Sequence, residues 1–139
     1  MQHIDRIFLT LAATCLVAGV SMGIGMGIAH DFQYAPVHAH LNLVGFVSLS
    51  VFGIVYKLYP DVGRSRLAAA HLAVAAPAAV LFPVGIYLAI AHEAPGLAIG
   101  AALLWLTGVL LFLANLLRAF LAPAAGAAST AAAPAAVGG

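Results

Sequence analysis

Two histidines, His38 and His40, stand at the head of a long apolar run, in the stretch YAPVHAHLNLVGF (34–46). Imidazole is the commonest side chain to ligate a metal. In apolar surroundings its nitrogens also need partners, because an unpaired polar group in hydrocarbon costs several kcal/mol. Positions i and i+2 of an α-helix point about 200° apart, so His38 and His40 face nearly opposite sides and cannot ligate one ion together. If both are ligands, either two cofactors flank this helix or identical helices from neighbouring chains share cofactors, with His38 of one protomer facing His40 of the next.

Below His38 at helical spacing lie Asn42, Gly45, Leu49 and Tyr56; below His40 lie Val44, Val47, Val51 and Ile54. The first face offers a gap at Gly45 and a polar neighbour at Asn42, and the second is a β-branched wall. Either suits the flat face of a porphyrin, which makes Asn42 and Gly45 candidate cofactor contacts beside the two ligands. The plainer reading has both histidines bonding water and headgroups at a helix end. Two of them on a helix without charge until Lys57 favour ligation, since ionisable groups inside a membrane are functional candidates by default.

The other histidines carry less. His71, alone in an alanine-rich run, reads first as an interhelical hydrogen-bonding residue and second as a metal or proton site. His30 and His92, beside Asp31 and Glu93, read as solvated loop ends, with metal or propionate contact as the sharper alternative; His3 reads as inert. The one cysteine, Cys15, sits in an apolar run, so there is no disulfide, no CxxC knuckle and no CxxCH site for covalent haem.

The elements that must position these groups follow from composition. Of the 139 residues, 65% are hydrophobic and 6% charged, with a mean hydropathy of +1.13. The charged residues lie at the edges of apolar runs, the layout of a polytopic membrane protein. The hydropathy predicts an all-α domain over 1–122, with spans at about 7–29, 36–59, 67–91 and 97–121. A low-complexity tail (123–139) reads as disordered. The first span is longer than a signal-peptide core. In it Gly19, Gly23 and Gly27 recur every four residues with Gly25 between them, a surface for close helix approach. Pro36 opens the second span, where its missing N–H is harmless, whereas Pro77 and Pro83 are expected to kink the third. A net charge of +1 gives no argument for nucleic acid.

All five Lys and Arg fall at the N-terminus, between residues 57 and 66, or at Arg118. The positive-inside rule then puts both termini in the cytoplasm of a bacterial-type inner membrane. Arg64 and Arg66 anchor that topology. His38 and His40 enter from the outer side and His71 from the inner, about 15–20 Å apart along the normal at 1.5 Å per residue, which argues against His71 as a third ligand.

The stretch PVHAHLNLVGF resembles the tenth helix of haem-copper oxidase subunit I, where an H-x-H pair ligates two different haems. It is also similar to the low-spin haem b motif of the cbb3-type and nitric-oxide-reductase relatives. About a dozen residues carry the likeness strongly, and the four-span hydropathy carries it loosely. Subunit I has twelve helices in three four-helix arcs, so the resemblance implies a homotrimer of single arcs with non-covalent haem b between protomers, held by His38 of one chain and His40 of the next. The departures are the missing His-His pair for copper, the absence of a tyrosine placeable for a cross-link to histidine, and the absence of a glutamate within a span. They point to electron transfer or redox sensing, with a protein or a quinone as redox partner, over oxygen turnover. Three other readings stand beside it: a copper or zinc transporter or chaperone using His30, His38, His40 and His92 with His71 as relay; a haem-based nitric oxide or oxygen reductase or sensor; and a cofactor-free membrane assembly factor.

Overall fold

The computed structural model describes residues 3–121; the tail expected at 123–139 lies outside them. Among the described residues the chain is all-helical. Helix α1 (Ile4–Ala29) is followed by α2 (Ala35–Leu58), a short α3 (Pro60–Gly63), α4 (Arg66–His92) and α5 (Gly96–Leu121). Four of these are long and apolar enough to cross a membrane, the architecture of a multi-pass membrane protein.

Local chemistry sets the ends. Ser65 accepts a hydrogen bond at Oγ from Ala68 N–H (3.0 Å) and so caps the start of α4. His30 and Glu93 adopt left-handed conformations (φ 51° and 52°) that stop α1 and α4. Pro36 and Pro60 sit in first turns, where no N–H is needed. α4 contains Pro77 and Pro83 in its interior and runs through both as one continuous helix. The second span is not uniform, because an α-helical turn (Ala35–His40) leads into a π-helical segment (Leu41–Ser48) before α-helix resumes at Leu49.

The helices pack as two hairpins, α1 with α2 and α4 with α5, and α4 lies against both helices of the first. The core between them is aromatic on the first hairpin, with Phe8, Phe52 and Tyr56 buried, and alanine on α4, where Ala68, Ala75, Ala78 and Ala79 are fully buried. Small residues matter here because helices in lipid gain by close backbone approach and not by hiding apolar surface. At the α4–α5 crossing a Cβ on Gly85 would lie 2.5 Å from the backbone nitrogen of Ala98, so the crossing requires glycine.

The end of the bundle carrying Lys57 is tied by Asn115 of α5, which is wholly buried. Its Nδ2 donates to the carbonyl of Val62 (3.0 Å), and its Oδ1 accepts from the Ser65 hydroxyl (2.8 Å). The connection between α2 and α4 is thereby stapled to the bundle. Outward faces remain apolar, with Leu103, Leu110 and Phe120 all exposed, as lipid-facing helices require.

Candidate cofactor-binding site

His38 lies in the first turns of α2 and leans on α1. A backbone carbonyl can only accept, so the 2.9 Å contact of His38 Nδ1 with the carbonyl of Gly19 places the ring proton on Nδ1. The lone pair is then on Nε2. His40 is held in the same way by the carbonyl of Pro36, one turn back (2.8 Å). Its ring meets Phe82 of α4 edge-on, with centroids 4.7 Å apart. One imidazole faces α1 and the other α4, as the i, i+2 spacing on the α-helical turn Ala35–His40 requires. Neither Nε2 takes a hydrogen bond from a described residue.

The glycines of α1 make this seating possible. A Cβ on Gly23 would lie 2.8 Å from His38 Cε1, and one on Gly19 would lie 2.6 Å from Asn42 Nδ2. The groove thus receives two side chains from α2. Gly25 and Gly27 have open space beside them, so only half of the glycine series serves this approach.

Asn42 donates from Nδ2 to the carbonyl of His38 (2.8 Å). Its 3.4 Å approach to His38 Nδ1 brings two donors together and is no hydrogen bond once Gly19 takes the imidazole proton. The gap expected at Gly45 is filled from within the chain: a Cβ there would sit 2.8 Å from the sulfur of Cys15. On the opposite side Val47, Val51 and Ile54 are 45–49% exposed and form an open apolar wall.

The π-helical segment sits directly below the histidines. Its i→i+5 pattern widens the turn, and the Ser48 hydroxyl donates to the carbonyl of Leu43 five residues back (2.8 Å). Such segments recur at functional sites. A uniform 100° step does not describe the helix below His40, so the two faces drawn by simple spacing drift along it.

His71 is elsewhere in the bundle, fully buried on α4. The hydroxyl of Tyr56 is hydrogen-bonded to its Nδ1 (2.8 Å). Phe8 stacks on the ring (5.0 Å), Phe52 meets it edge-on (4.6 Å) and Phe112 closes the box (5.4 Å). Its Nε2 is buried without a hydrogen-bond partner. Spacing alone did not reveal this tyrosine–histidine pair or the buried Asn115. The available signal was each residue's position as an isolated polar group in an apolar run.

His30 and His92 are exposed, one capping α1 and the other ending α4. Among the described residues no three of His, Cys, Asp or Glu converge on a common point. Comparison with known protein families, characterised proteins and solved structures returns no match.

Proposed function

We propose that this chain is a membrane protein of b-type haem, which His38 of one copy and His40 of the next would hold, and that it carries electrons or senses redox state. The observation that carries the reading is the shared state of the two imidazoles. Each is fixed through Nδ1 by a backbone carbonyl and keeps Nε2 for ligation. Metal-binding histidines are held by this same outer contact, which sets the tautomer and the ring orientation.

The residues fit a haem between chains better than one within a chain. His38 and His40 point to opposite sides of α2, and the gap at Gly45 is taken by Cys15. The open wall of Val47, Val51 and Ile54 gives an apolar surface beside the histidine turn. In a ring of three chains the contact is heterologous, so one face of α2 meets the opposite face of the next. A haem held by both imidazoles would supply one-electron transfer and not gas binding. His71 is left out because aromatic rings enclose it. The charge distribution supports a bacterial-type inner membrane with both termini in the cytoplasm. The similarity of PVHAHLNLVGF to haem-copper oxidase subunit I supports the trimer.

The test is a visible spectrum of detergent-purified protein, air-oxidised and then dithionite-reduced, for wild type, His38→Ala and His40→Ala. A sharp low-spin α band weakened by either substitution is expected. No Soret band from protein expressed with ample haem overturns the reading.

A further inference from the structure

The two hairpins leave a cleft of about 330 Å³ between α1, α2 and α4. Cys15, Val37 and Leu41 contribute to its lining, with Leu11 and Ala18 of α1 on one side and Val80 and Val84 of α4 on the other. Its surface presents no polar atom: the Thr14 hydroxyl turns back to the carbonyl of Thr10 (3.0 Å). Sites for small polar molecules carry a few groups that orient the ligand. This cleft has none, so its lining suits hydrocarbon.

Val80, Val84 and Tyr87 are each 43–45% exposed, so the cleft opens sideways. For helices of membrane length that side meets acyl chains. A helix from a second copy is a poor occupant, because lipid tails are as apolar as leucine and helices gain over them only by close approach. The branched chains of Leu11, Val80 and Val84 keep another backbone at a distance. Tyr34 packs on Tyr87 (5.2 Å) towards the His92 end, and tyrosines mark the headgroup level. The connections at that end, 30–35 and 92–96, hold no Lys or Arg, which suits a zwitterionic headgroup and not an anionic one.

We infer that this cleft is a fixed binding site for one acyl chain of a zwitterionic bilayer phospholipid, its headgroup level with Tyr34 and Tyr87. The site adjoins the residues that bracket His38 and His40, yet it stands whether or not haem is bound.

The test uses the full chain in phosphatidylcholine nanodiscs doped with phosphatidylcholine bearing a diazirine on one acyl chain. After irradiation, peptides are mapped by mass spectrometry for wild type, Val84→Trp and Ala18→Leu, two substitutions that fill the cleft from opposite walls. Adducts on residues 37–41 and 80–87 are expected several-fold above those on the α5 face at Leu103 and Leu110. Whichever filling variant keeps its helical circular dichroism should lose that excess. Equal labelling of cleft and α5 face overturns the site. Protection of the cleft with chain-to-chain contact there overturns the lipid in favour of a second copy. Displacement of the adducts by equimolar polyprenyl quinone reassigns the cleft to an isoprenoid tail and overturns the phospholipid.

Discussion

The Tyr56 hydroxyl lies 2.8 Å from His71 Nδ1 across the α2–α4 contact, inside a box of phenylalanine rings. The other ring nitrogen, Nε2, is buried and faces no hydrogen-bond partner among the described residues. The pair therefore clamps two helices while leaving one nitrogen short of a partner. Tyr56→Phe should lower stability in detergent by about 1–3 kcal/mol, since it leaves both imidazole nitrogens unmatched. Adding His71→Phe should bring stability back towards wild type, because removing both partners removes the penalty. Thermal melts of the two variants decide it, and a double variant worse than the single would refute the clamp.

The seating of His38 depends on the missing Cβ of Gly23. Gly23→Ala puts a carbon 2.8 Å from His38 Cε1, which pushes the ring off the Gly19 carbonyl. The expected result is a weakened or shifted α band. Gly27→Ala, which adds a methyl where nothing lies within 4 Å, should leave the spectrum unchanged. Similar spectra for both variants would separate the glycine groove from the cofactor.

The proposed sharing of ligands between chains predicts a distinctive outcome. Neither His38→Ala nor His40→Ala alone should retain a bis-histidine spectrum. Co-expressed in equal amounts, they should recover about a quarter of the wild-type α band, because in a randomly mixed ring one contact in four joins an intact His38 to an intact His40. If both ligands came from one chain, no recovery would occur. The reduced-minus-oxidised amplitude at matched protein concentration gives the answer.

Asn115 should matter more than its distance from the histidines suggests. Asn115→Leu strips the Val62 carbonyl and the Ser65 hydroxyl of the partners they have in the buried amide. A loss of about 1–3 kcal/mol follows from leaving such groups unsatisfied, together with faster proteolysis between residues 59 and 65. An unchanged cleavage rate would show that α3 holds its place without the staple.

Ser48→Ala tests the π-helical segment. The hydroxyl contributes one hydrogen bond, to the carbonyl of Leu43, so a loss of about 1 kcal/mol is expected. Because the segment lies just below the histidine turn, the α band should shift with it. A spectrum identical to wild type would place the segment outside the cofactor site.

The four spans were legible because partitioning into a bilayer is a property of each stretch by itself. Long apolar runs bounded by charge and proline become helices wherever they pack; α1 nevertheless begins at Ile4, ahead of the expected residue 7. The opposite facing of His38 and His40 was legible for the same kind of reason, since it follows from helix geometry within one turn. Other features arise between helices and have no local signature. Gly19 and Gly23 receive side chains while Gly27 does not, because α2 crosses α1 at that height. Gly45 packs against Cys15, which comes from another helix. The π-helical segment, the His71–Tyr56 pair and the Asn115 staple likewise depend on which surfaces meet. Hydrophobic pattern and helix geometry decided the elements and the direction of each imidazole. Packing decided which nitrogen His38 and His71 leave free, because the Gly19 carbonyl that holds His38 and the Tyr56 hydroxyl that holds His71 lie on other helices, whereas His40 is held by Pro36 of its own helix.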